Sequence, residues 1–130
     1  MKKNLFLPLF LIIISCNSSI ENKTEIINIM NEEVSYLASD MLEGRATGSE
    51  AEKKAANYIS KKFSEYNLIP KGNDKYFQYF NTHIKKHPHS KVVAKNIEGI
   101  NVIGYLDNNQ QESIIIGAHY DHLGYGEFGS

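Results

Sequence analysis

Cysteine is nearly absent from this chain of 130 residues, which carries one, Cys16. A single thiol has no partner within the chain, so neither an intramolecular disulfide nor a multi-cysteine metal site can form. A block of basic residues is also missing, and the formal net charge is −1. Nucleic-acid binding therefore has no electrostatic support. No internal repeat and no low-complexity tract occurs. The apolar stretch from Leu5 to Ile14, interrupted only by Pro8, is too short to span a bilayer as a helix. What is present is a balanced composition, 42% hydrophobic and 22% charged. That balance implies a folded segment rather than disorder, and the length suits one small domain at most.

Residues 1–15 have the layout of a secretory signal. Lys2 and Lys3 form a positive start, and Leu5 to Ile14 an apolar middle. The stretch ends Ile13-Ile14-Ser15-Cys16. This resembles the bacterial lipobox, in which a small residue precedes the cysteine that becomes the first mature residue. Cys16 is the expected lipidation site, and several acyl chains there would hold the protein at a membrane surface. The plainer alternative is an ordinary cleaved signal with a stray thiol and a soluble, secreted product. Removing Lys2 and Lys3 takes the side-chain charge from −1 to −3. Residues 16–23 are mostly polar and suit a tether between anchor and domain. No Asp follows Cys16, so outer-membrane attachment is the default location.

Residues 24–130 make the expected domain. A first helix is predicted from Thr24, as N-cap, to Ser39. Ile27, Met30, Val34 and Leu37 recur at spacings of three and four and predict one core-facing stripe. Ser39 to Gly48 read as a loop, with Glu43 and Arg45 able to pair with each other or with groups outside this chain. Ser49 with Glu52 forms a capping box opening a second helix that runs to about Tyr66. Ala55, Ile59, Phe63 and Tyr66 predict its buried face, and its lysines a solvated one. Asn67 suits a left-handed stop with Leu68 folding back.

Strands are predicted at Tyr76–Phe80, Val92–Ala94, Asn101–Leu106 and Ser113–Ala118. His83 and His87 would share a helix face like a zinc pair, but Pro88 and the strand context oppose that helix. A polar hairpin or strand end is the better reading of His83, His87 and His89. The class implied is α/β, two helices followed by strands.

The densest chemistry lies in Ile114-Ile115-Ile116-Gly117-Ala118-His119-Tyr120-Asp121-His122-Leu123-Gly124. The isoleucine run predicts a strand buried on both faces, and ligands gather at the carboxyl ends of such strands. His119 and Asp121 sit at that end and, at the strand period of two, project to one side. A neutral imidazole is a common zinc ligand, and a nearby carboxylate can bind the metal or fix the ring that does. A satisfied strand-end polar pair is the plain alternative.

The string Gly-Ala-His-Tyr-Asp-His-Leu-Gly after the isoleucines resembles the first metal-binding segment of the M28 family of zinc metallopeptidases. That family includes aminopeptidases, carboxypeptidases and glutaminyl cyclases. Leu42-Glu43-Gly44-Arg45 with Thr47-Gly48-Ser49, and Asn101-Val102-Ile103-Gly104, are similar to family segments in the expected order. The resemblance covers most of residues 34–125.

The resemblance implies a central mixed sheet between helices, with two zinc ions at its carboxyl edge. It makes His119 the first zinc ligand. It makes Asp121 a catalytic-site residue that orients that histidine or tunes the site without binding metal directly. The implied reaction is aminopeptidase-type hydrolysis of a peptide or protein substrate by a metal-activated water. The remaining ligands and the general base are expected after Ser130, so the chain reads as an amino-terminal fragment, inactive as given. The resemblance implies an aspartate bridging the two metals, and the place of Glu127 does not match it. An unpaired inner strand would also leave the fragment poorly stable. The substrate pocket is not assigned. Competing readings are a non-catalytic envelope lipoprotein on the same scaffold and a glutaminyl-cyclase-like acyltransferase.

Overall fold

A computed structural model describes residues 18–85 and 93–125. The chain divides into two units, residues 1–33 and 34–130. Cys16, His87, His89 and Glu127 lie outside the described residues, as do the signal-like residues 1–15.

The first helix, α1, spans Ser18–Leu37. It starts before the predicted Thr24 cap, so Ser18 to Lys23, read as tether, are helical. Glu21, Lys23 and Ile20 are adequate helix formers, and no Gly or Pro interrupts them. The predicted core stripe is not a core. Ile27, Met30 and Val34 are 46%, 57% and 62% exposed. Amphipathic spacing supplies only a face, and among the described residues of the first unit there is no element besides α1 to cover it.

In the second unit, α1 ends where Ser39 Oγ donates to the Tyr36 carbonyl at 2.7 Å. A 3-10 segment follows at Asp40–Arg45, where a loop was expected. Its end is left-handed at Glu43, Gly44 and Arg45, with φ of 47°, 65° and 48°. The next helix, α2, spans Glu50–Glu65. Ser49 caps it by accepting from Glu52 N at 3.1 Å. The reciprocal half of the predicted box is displaced: Glu52 accepts from Gly48 N at 2.6 Å. At its far end Asn67 takes the left-handed conformation, φ 58°, and Leu68 N donates to the Phe63 carbonyl at 2.9 Å.

The strands form two small antiparallel pairs. The strands β1, Ile69–Pro70, and β4, Gly104–Tyr105, make one. The strands β2, Phe77–Lys85, and β3, Val93–Val102, make the other, with a register shift at Ile84/Lys85. The α/β class holds at this level. His83 lies on β2, its Nδ1 2.6 Å from Asn96 Oδ1 on β3. That strand removes the helical zinc pair with His87 and agrees with the strand-end reading.

The core is small. Ala51, Ala55 and Ala56 on α2 pack with Leu42 of the 3-10 segment and with Ile97 and Ile100 of β3, all buried. The alanines let the helix backbone approach the strand closely. Ile59 and Phe63 are half-buried, and Tyr66, predicted to be inside, is 50% exposed. Where α1 meets α2, the Tyr36 and Tyr58 rings lie 4.2 Å apart. Glu52 is the buried charged residue in this core, 1% exposed. Its second oxygen accepts from Ile100 N at 3.2 Å, tying α2 to β3.

The predicted strand at Ser113–Ala118 is absent. Ile114, Ile115 and Ile116 are 92%, 95% and 93% exposed and belong to no strand. A parallel inner strand exists only through its neighbours. Among the described residues none pairs with this segment.

Candidate functional site

The chain after Ala118 is held by the loop 43–48. His122 N donates to the Arg45 carbonyl and Gly124 N to the Gly44 carbonyl, each at 2.9 Å. Ala46 and His122 form an isolated parallel bridge. Gly44 is required here twice over. Its φ is +65°, and a Cβ would fall 2.5 Å from the Gly124 carbonyl oxygen.

Arg45 braces the same segment from its side chain. Its Nε donates to the Tyr120 carbonyl at 2.6 Å, and its Nη1 donates to the Leu37 carbonyl. The sequence offered Arg45 either Glu43 or a group outside the chain, and neither is among its observed partners. Its observed partners are main-chain carbonyls at the end of α1 and next to His119. The Tyr120 hydroxyl donates to the Ile100 carbonyl on β3. Burial pushes the Tyr120 phenol upward from its ordinary value, with the negative charges of Glu52 and Asp121 adding to the rise.

His119 and Asp121 are brought together, though not by strand alternation. His119 Nδ1 lies 2.9 Å from the Asp121 backbone carbonyl and 3.6 Å from Asp121 Oδ1. A carbonyl only accepts, so the neutral ring in this contact carries its proton on Nδ1. Nε2 is left with its lone pair, and the side chain is 81% exposed. The other carboxylate oxygen, Oδ2, accepts from Thr47 Oγ1 at 2.8 Å.

One ring nitrogen is held against the chain, and the other side of the ring faces solvent. Among the described residues no three His, Cys, Asp or Glu side chains group closely enough to hold a metal. A zinc site takes three or four ligands. The described residues therefore do not fit a zinc ion by themselves. Among them, too, no helix is long and apolar enough to cross a membrane.

Arg45, Thr47 and Tyr120 are the site residues that local sequence reasoning missed as functional. Their contacts span 75, 74 and 20 positions in the chain. No periodicity or motif spacing reports contacts of that range. Comparison with family models, with curated proteins and with solved structures finds no match to this chain.

Proposed function

We propose that this chain is the amino-terminal portion of an M28-like zinc exopeptidase domain, inactive by itself. His119 is one metal ligand, and Asp121 is the residue that fixes it. The substrate would be a peptide or protein with a free amino terminus. The product would be anchored to the outer membrane through lipidated Cys16. The observation that carries the reading is the setting of the His119 ring. Its Nδ1 is occupied by the Asp121 carbonyl, and its exposed Nε2 is open. The order of the 42–49, 101–104 and 117–124 segments adds support.

The ligand count sets the form of the proposal. One imidazole needs two or three further ligands, and the described residues hold no such group. These must come from outside them. Reading the gene past the Ser130 codon tests this. An open frame with an early Asp, a Glu-Glu pair, a further acidic residue and a late His supports the peptidase. A stop codon immediately after Ser130 removes the catalytic reading and leaves a small envelope lipoprotein.

A further inference from the structure

We infer that Thr47 is a positioning residue for the His119–Asp121 pair, setting which nitrogen of His119 is free. This rests on the reading of His119 as a ligand.

The Asp121 carboxylate divides its two oxygens. Oδ2 accepts the Thr47 hydroxyl at 2.8 Å, and Oδ1 faces His119 Nδ1 at 3.6 Å. An unrestrained aspartate can turn its carboxylate about its terminal torsion, which has a broad, roughly two-fold profile. The Thr47 bond restricts that rotation and keeps the negative edge on the Nδ1 side of the ring. Negative charge there favours the tautomer with the proton on Nδ1. The Asp121 backbone carbonyl acts in the same sense, at 2.9 Å.

Thr47 can serve this purpose because its own backbone is fixed. Its neighbour Ala46 bridges to His122, and the next residue, Gly48, donates its N–H to the buried carboxylate of Glu52 at 2.6 Å. Glu52 in turn holds Ile100 N, and Ile100 O holds the Tyr120 hydroxyl. The hydroxyl of Thr47 is thus set on the α2–β3 core, while the carboxylate it steers belongs to an exposed segment. A threonine in a turn ordinarily bonds its own neighbours. This one reaches across 74 positions.

The test is long-range nitrogen NMR of the full 130-residue chain, with labelled histidine, at a pH about two units above the ordinary imidazole value. Unmodified protein is expected to show His119 mainly with the proton on Nδ1. Thr47→Val, which keeps the shape and removes the hydroxyl, is expected to shift that population toward the Nε2-protonated form. Thr47→Ser is expected to restore it. Amides of the β2–β3 ladder report that the fold is intact. An unchanged population in Thr47→Val overturns the inference, as does an equal loss in Thr47→Ser.

A second measurement needs no variant. Side-chain couplings of Asp121 in the unmodified chain should report one rotamer, and averaging over several overturns the positioning role. The two levels separate cleanly. An unmodified His119 already protonated on Nε2 removes the Nδ1-to-carbonyl contact on which the ligand reading rests. An Nδ1-protonated His119 indifferent to Thr47 sinks only this inference.

Discussion

Glu52 offers the sharpest test of how the site is held. It is 1% exposed, and its two oxygens accept from Gly48 N at 2.6 Å and Ile100 N at 3.2 Å. One bond anchors the loop that carries Thr47, and the other anchors β3. Replacing Glu52 by alanine removes both and leaves two backbone N–H groups without acceptors. Hydrogen bonds to a charged group contribute about 1.5–3 kcal/mol each, so the pair is expected to cost roughly 3–6 kcal/mol. Total stability for a domain is about 5–15 kcal/mol. Glu52→Ala should therefore remove a large share of it. Glu52→Gln should be milder. An amide offers one acceptor and one donor, so one N–H is satisfied while the other faces a second N–H. That leaves about 1–3 kcal/mol of loss. Urea unfolding followed by far-UV circular dichroism measures both, with the midpoint interpreted at unchanged slope. Tyrosine emission is the second probe, since the chain has no tryptophan. An alanine variant within about 0.5 kcal/mol of the parent would refute the reasoning. So would a glutamine variant as damaged as alanine, because size and burial would then matter rather than the two acceptors.

Ile115→Lys should change stability by no more than about 0.5 kcal/mol, since the parent side chain is 95% exposed. A loss near the roughly 1.5–3 kcal/mol of a buried aliphatic, read from the same urea curves, would mean that the segment is packed after all. Gly44→Ala places a Cβ against the Gly124 carbonyl at φ +65° and should cost ~1–3 kcal/mol. Hydrogen exchange should show His122 and Gly124 amides losing protection while the β2–β3 amides keep theirs, and uniform protection throughout would argue against the loop as the clamp. Burial raises the Tyr120 phenol in the folded state above its ordinary value of 10.0. A raised folded value gives stability that is complete below the unfolded value, near ~10, and lost as pH rises through the folded one. Urea midpoints should thus fall with pH above ~10, and Tyr120→Phe should flatten that slope; the same slope in both proteins would show that another group is responsible.

Local signals in the sequence were accurate at both ends of α2, although the Thr24 cap was not the start of α1. Ser49 and Glu52 opened α2, and Asn67 with Leu68 closed it, because caps are made within a few residues. The α/β class was legible for the same reason. The stripe on α1 and the isoleucine run failed together. In both, apolar spacing was read as burial, yet burial also needs a second surface, and Met30 and Ile115 are 57% and 95% exposed among the described residues. His119 and Asp121 were legible as a pair from their spacing, although ring-to-carbonyl contact rather than strand alternation joins them. The Thr47–Asp121 and Arg45–Tyr120 contacts were not legible, since they join residues 74 and 75 positions apart.

If His119 is a metal ligand of a zinc peptidase, as proposed, the protein expressed from the whole gene should hold stoichiometric zinc, and its His119→Ala variant should lose it, with the β2–β3 ladder intact in both. Metal analysis of the two proteins gives the answer. Zinc absent from the parent, or equal in the two proteins, overturns the assignment of His119.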